Sequence, residues 1–355
     1  MTSETPFFSI IVPCCDVEPY IRECLMSVIN QPFQDWECLI GIETCKDRTE
    51  EIIHEIIDGD DRFKIFTGPR SGSCSASRNT GIDMAQGEYV IFLDGDDSIS
   101  EGALQRLHDK IEAHLGADLY PCAIQVFNEN TGKKEEIRDN YPLDTPPVLT
   151  GKEATLFISQ IRKHPEPMMQ LTICRRIFLI NNNLKCIYGI SGQDREFSPR
   201  ALYLAKQVVP IHEPFYIYRK RLGSVMTTLS KERHLHDQAI IHKSLFAFHA
   251  LVSSHPGFDT RLTACWAISW ISWIFYIWFT PKQINMIPRE IRLKTLSLLF
   301  SDGIDNLKTL SKYMSRTRKI AIWWMIAFMR YPPLRLLAEE FFKLYFLLSK
   351  QKRCA

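Results

Sequence analysis

Three aspartates, Asp94, Asp96 and Asp97, follow an apolar run from Tyr89 to Leu93. Carboxylates this close repel one another unless something neutralises them. An oxygen-only set suits Mg²⁺ or Mn²⁺, held through one or two carboxylates while substrate phosphates complete the shell. The structural alternative is an acidic turn in which Asp97 or Ser100 caps the following helix. A fourth carboxylate, Asp194, comes just after Gly192-Gln193 and opens a helical pattern whose Phe197, Ala201, Leu204 and Ala205 share a face. In a first helical turn it is either a cap for free N–H groups or a base placed to take a proton. Arg78, Arg219, Lys220 and Arg221 supply cations for an anionic ligand or, equally, an exposed charged loop.

These groups need a scaffold, and the apolar pattern supplies one. Phe7 to Val12 reads as a first strand ending at Pro13, followed by Asp16 at a helix N-cap and Ile21, Leu25, Val28 and Ile29 along one face. Trp36 to Ile42 is a second strand; Asp47 to Glu50 has capping-box spacing ahead of Ile52, Ile53, Ile56 and Ile57. Phe63 to Phe66 is a third strand, the loop at Gly68 to Ser73 leads into a helix carrying Arg78 and Asn79, and Tyr89 to Leu93 is a fourth strand. Ser100 caps a helix with Leu104, Leu107, Ile111 and Leu115 on one face, which Gly116 ends. Strands follow at Leu119 to Phe127 and Pro214 to Arg219, separated by a polar turn at Asn128 to Lys134 and a Pro-rich loop. Strand and helix in alternation predict an α/β domain over residues 1–230: a mostly parallel, Rossmann-like sheet with helices on both faces. In such sheets ligands bind at the carboxyl ends of strands, where Asp94 and Asp96 lie. Residues 231–355 read as an α-helical C-terminal region.

Composition agrees with an ordinary globular protein of 355 residues, 45% hydrophobic and 24% charged. Eleven cysteines without a C-x-x-C pair point to reduced thiols. The opening Met-Thr-Ser-Glu-Thr-Pro has neither a basic nor an apolar leader segment, so a cytoplasmic chain is expected.

Four stretches, in order, resemble the inverting glycosyltransferases of family 2. They are Ser9-Ile-Ile-Val-Pro13, Ser77-Arg78-Asn79-Thr80-Gly81, Phe92-Leu93-Asp94-Gly95-Asp96-Asp97 and Gly192-Gln193-Asp194-Arg195-Glu196-Phe197. The resemblance covers about the first 230 residues and implies a GT-A fold and transfer of a sugar from a nucleotide diphosphate donor, commonly a UDP-sugar, to an acceptor hydroxyl. It implies Asp96 as ligand of Mn²⁺ or Mg²⁺, Asp94 at the donor's ribose or at the same cation, and Asp194 as general base. Pro13, Glu43 and Arg78 fall to the nucleotide, with Arg219, Arg221 and Ser224 beside the diphosphate. His212 is a further candidate metal contact, set against its reading as a packed or surface histidine. The chain departs from the family pattern at Cys15-Asp16 and at Glu43-Thr44-Cys45, which leaves only Glu43 to read the nucleobase.

Residues 281–355 carry fifteen Lys and Arg against five Asp and Glu, a net +10, so the rest of the chain carries −8. Trp323, Trp324, Phe328, Phe341, Phe342, Tyr345 and Phe346 are interleaved with these cations, a pattern that points to an anionic membrane surface over nucleic acid, the alternative being a helical subdomain packed on the body with a basic outer face. Leu262 to Thr280 is uncharged, yet its central Trp266, Trp270 and Trp273 and its polar stripe fit an interfacial or packed helix better than a spanning one. The expected protein is a transferase of surface-polysaccharide synthesis, acting on a glycan or lipid-linked acceptor at the inner face of a membrane. The competing readings are a non-catalytic sugar-nucleotide-binding scaffold and a nucleotidyltransferase. The latter needs a glycine-rich phosphate loop after the first strand, and Pro13 to Val17 contains no glycine.

Overall fold

The structure is a computed structural model describing residues 5–161, 169–221 and 231–255, with 258, 259, 262 and 290. The chain forms two compact units, Met1–Thr228 and Leu229–Ala355. In the first, β1 (Phe8–Cys14), α1 (Glu18–Ile29), β2 (Trp36–Glu43), α2 (Thr49–Ile57), β3 (Phe63–Gly68), α3 (Ser75–Met84) and β4 (Tyr89–Phe92) alternate as the apolar pattern predicts. β5 (Ser98–Ile99), α4 (Ala103–Glu112), β6 (Leu119–Asn128) and β7 (Lys133–Arg138) follow. Then come α5 (Gly151–Ile161), a 3₁₀ turn (Met169–Leu171), β8 (Thr172–Arg175), α6 (Arg176–Asn181), α7 (Asp194–Leu204) and β9 (Ile211–Lys220). In the second unit, α8 spans Lys231–Ser253.

The strands line up as β3-β2-β1-β4-β8-β6-β9-β5, with β7 on β6. The first four are parallel; β8 runs antiparallel to both β4 and β6, β9 parallel to β6, and β5 antiparallel to β9. The sheet is therefore parallel where strands alternate with helices and mixed beyond β4. Every residue of β1, β2 and β4 is buried, as strands covered on both faces must be. Side-chain alternation splits β1 between two cores. Phe8, Ile10 and Val12 pack with Ile21 and Leu25 of α1 and Leu104 and Leu107 of α4. Ile11 packs on the opposite face with Ile82 of α3, Phe178 of α6 and Phe197 of α7. Gly81 lets α3 lie directly on β1, since a Cβ there would come 2.5 Å from Ile11.

The helix starts differ from expectation, because their expected caps have other work. Asp16 adopts φ +52° and accepts the Lys46 N–H at 2.7 Å while pairing with Arg70 at 2.7 Å, so it ties three loops together instead of capping α1. Asp47 serves both helices: one oxygen accepts the Glu18 N–H at 3.0 Å and the other the Thr49 N–H at 3.1 Å. Ser100 also does not cap α4 through its hydroxyl, which donates to the Pro214 carbonyl at 3.2 Å; its own carbonyl accepts the Ala103 N–H at 3.1 Å.

Among the described residues no helix is long and apolar enough to cross a membrane. The segment 262–280, apart from residue 262, and the tail 281–355, apart from residue 290, lie outside them.

Candidate active site

β1 and β4 pair until the Leu93 N–H donates to the Ile11 carbonyl at 3.0 Å. The chain then leaves the sheet, and the aspartates begin. Gly95 makes the turn possible: a Cβ there would lie 3.2 to 3.3 Å from Val17, Cys14 and the Pro13 carbonyl, tighter than side chains normally pack. Pro13 thus shapes the floor of the site through its backbone at the end of β1.

The three carboxylates have three surroundings. Asp97 is 4% exposed and accepts the Tyr216 hydroxyl at 2.6 Å and the Arg219 N–H at 2.7 Å. It bolts β9 to the end of β4 and does not cap a helix. Its burial, with the charges of Asp96 and Asp94, pushes its carboxyl well above the usual range. Asp94 accepts the Arg78 guanidinium on one oxygen at 2.5 Å and the Gln170 amide on the other at 2.5 Å. Asp96 is a quarter exposed and pairs with Arg221 alone among the described side chains, Nη2 at 2.8 Å and Nε at 3.0 Å on the same oxygen. Burial and the Asp94 charge raise its carboxyl, and Arg221 opposes the rise.

Arg78 links the two ends of the site. Its side chain is 3% exposed, so it reaches a ligand through Asp94 and has no free face for a nucleotide. Turning the Gln193 side-chain amide from the placement in which its Nε2 meets Cys74 Sγ lets its Oε1 accept from Arg78 Nη1 at 2.9 Å and its nitrogen donate to the Ile190 carbonyl at 3.0 Å. The residue after Gln193 is Asp194, the first of α7. The loop before it is pinned on α3: Asn79 accepts the Cys186 N–H at 2.8 Å and donates to the Cys186 carbonyl at 2.9 Å, and Ser75 accepts the Gly189 N–H at 2.9 Å. Asp194 is partly exposed, and burial raises its carboxyl above the ordinary range while Arg78 and Arg195 pull it back. A carboxylate so shifted is a better base than a free one.

Other candidates have different tasks. Glu43 is 5% exposed and both its oxygens accept from Ser71, the N–H and the hydroxyl each at 2.8 Å. It secures the loop before α3. Arg219 is 10% exposed and lies between Glu23 at 2.6 Å and Glu129 at 3.6 Å, with Nε donating to the Asp96 carbonyl at 3.1 Å. In the structure it is a clamp in the wall beside Asp96. His212 pairs with Asp139 at 2.7 Å, seven residues before Arg219 on β9, about 20 Å away at the strand rise, so it is no part of this cluster. Ser224 lies outside the described residues. Burial pushes the Cys15 and Cys74 thiols up to about 11, which keeps them neutral.

The donor set fits a hard divalent cation at Asp96: an accessible carboxylate beside a second one, Asp94, with Arg221 on one of the Asp96 oxygens. Among the described residues the group meeting a three-ligand spacing is Asp16, Cys45 and Asp47. Its aspartate oxygens already accept backbone N–H groups, and its thiol is raised by burial, so it holds loops together. Gln170 and Tyr216 carried no sequence signal as site residues, whereas Gln193 lies inside the acidic motif.

Residues 9–170 match the family model described as glycosyl transferase family 2. The chain is 30% identical over 226 residues to the uncharacterized glycosyltransferase EpsJ of Bacillus subtilis, covering 62% of this chain and 63% of that one. It is 30% identical over 239 residues to the putative glycosyltransferase EpsH of the same organism, covering 64% and 65%. The match therefore spans less than two thirds of either relative. In architecture it is similar to S. aureus TarS residues 1–349, solved in complex with UDP-GlcNAc, with TM-score 0.70, 19% identity, and 91% and 87% of the two chains covered. The first unit has the GT-A fold.

Proposed function

We propose, from the premise that residues 9–170 belong to glycosyl transferase family 2, that the chain moves a sugar from a nucleoside diphosphate donor to an acceptor hydroxyl with inversion. The observation that supports this best is the link from Gln170 through Asp94 to the buried Arg78, which the turned amide of Gln193 extends to the neighbour of Asp194. It fixes a donor-side carboxylate and a candidate base relative to one another through one buried cation.

Asp96, with Asp94 behind it, would hold a divalent ion, Mn²⁺ or Mg²⁺. Such an ion acts as a Lewis acid on the diphosphate leaving group. Asp94, oriented by Arg78 and Gln170, holds the donor's ribose or assists at the ion. Asp194 takes the proton of the acceptor hydroxyl as that oxygen attacks the anomeric carbon. A single base on the acceptor side and a departing diphosphate on the other give one in-line displacement. Uridine is the nucleobase favoured by the family and by the TarS complex with UDP-GlcNAc. Glu43, oriented by the Ser71 N–H and hydroxyl, is the carboxylate beside the nucleobase.

The test is the anomeric configuration of the product, read by NMR. An α-linked UDP-sugar is expected to give a β-glycoside on the acceptor that supports turnover. Retention of configuration would overturn the single displacement.

The acceptor, by the same reading, is a glycan or lipid-linked hydroxyl presented at a membrane, with residues 281–355 drawn to anionic lipid by their net +10. Membrane-bound protein is then expected to be released by high salt, because such attraction is screened within about 8 Å even at physiological ionic strength. Retention through high salt would contradict an electrostatic attachment.

A further inference from the structure

Tyr20, on the first turn of α1, lies beneath both arginines of the site. The Arg221 guanidinium is 4.7 Å from its ring centroid and that of Arg219 is 5.3 Å away. The two arginines depend on it differently. Arg219 is also held by Glu23, Glu129, the Asp96 carbonyl and the Phe127 ring, so it stays in place without Tyr20. The contacts of Arg221 among the described residues are the Asp96 carboxylate and Tyr20. Both of its donors fall on the one Asp96 oxygen, so a divalent ion approaching that oxygen meets a cation already there. A guanidinium displaced from a carboxylate by a metal ion needs a new anion, and a diphosphate arriving with the ion supplies oxygens that match its fork. An aromatic face holds a guanidinium without fixing which anion it addresses.

We propose that Tyr20 is a positioning residue for the diphosphate. Its ring keeps Arg221 beside Asp96, where the guanidinium excludes the divalent cation while the donor is absent and turns to phosphate oxygens when cation and donor enter together. The proposal rests on the glycosyltransferase reading for its second half only; the competition at Asp96 stands on the ion pair itself.

The test is calorimetry on the full chain with Mn²⁺ alone, and then with uridine diphosphate in saturating Mn²⁺. Arg221→Gln is expected to bind Mn²⁺ alone about tenfold more tightly, because a charge-assisted bond to Asp96 is gone, and to bind the diphosphate about tenfold more weakly. Tyr20→Leu should move both constants in the same directions by about threefold, the scale of one exposed cation–π contact. Tyr20→Phe, which keeps the ring and loses the hydroxyl bond to Glu129, should match the wild type in both. Thermal melts of each variant establish that it is folded. Equal losses in the Leu and Phe variants would assign the effect to the hydroxyl and overturn the proposal, as would a Leu variant that equals wild type. Mn²⁺ binding by the wild type with no diphosphate binding would instead sink the glycosyltransferase reading, and with it the second half of this one.

Discussion

Asp194→Asn is expected to lower kcat by about 10² to 10⁴, the usual contribution of a general base, while donor affinity changes by much less. The asymmetry follows from when the group acts: a base that receives the acceptor's proton contributes in the transition state and not to the bound donor. Asparagine keeps the size and the capping ability of aspartate, so a merely structural Asp194 would leave turnover near wild type. The pH profile gives the same residue a second readout. Asp194 must be deprotonated to act, and its carboxyl lies above the ordinary range. Turnover should therefore fall on the acid side at a higher pH than the roughly 4 of a free aspartate, and this limb should vanish from the residual rate of the variant. The measurement is kcat against pH for both proteins, beside calorimetry with the donor.

Asp96→Ala is expected to cost at least about 10³ in transfer, since Lewis-acid stabilisation of a leaving diphosphate is worth several kcal/mol. Unlike the base variant, it should also weaken binding of the nucleoside diphosphate in Mn²⁺. The fold should persist, because the bolt between β4 and β9 is Asp97 with Tyr216 and Arg219, and Asp96 contributes to it only through its carbonyl. The side chain lost is a quarter exposed, and the guanidinium it leaves behind still lies over Tyr20.

The parallel half of the sheet was legible because its strands are apolar runs and α1 and α2 each carry one apolar stripe. Phe8 to Cys14 and Tyr89 to Phe92 fall within a residue or two of their expected bounds. The mixed half was legible only in β6 and β9. β7 is Lys-Lys-Glu-Glu-Ile-Arg, a polar hairpin partner whose strand state comes from pairing with β6 and has no apolar signal. β8 is four residues long, too short for periodicity to speak, and exists because it fills the gap between β4 and β6.

At the site, the sequence offered side-chain types but not the partners that hold them. Arg78, Glu43 and Arg219 have the types expected of nucleotide ligands, and tertiary partners distant in sequence hold them: Asp94 and Gln193, Ser71, and Glu23 with Glu129. Gln170 illustrates the converse. Nothing in its neighbourhood marks it, yet the turn before β8 delivers its amide to Asp94. Such roles depend on the pairing of β4 with β8, which no local pattern encodes.

The claim at the centre of this account is that a nucleotide sugar and a divalent ion bind together at Asp96. Thermal unfolding of the wild type and of Asp96→Ala against a panel of nucleotide sugars in Mn²⁺ measures it directly. A donor at a hundred times its Kd should stabilise the wild type by about 2.7 kcal/mol, a shift of several degrees, and the shift should largely disappear in Asp96→Ala and in EDTA. A wild type that no nucleotide sugar stabilises, or an equal shift in the variant, would contradict the account.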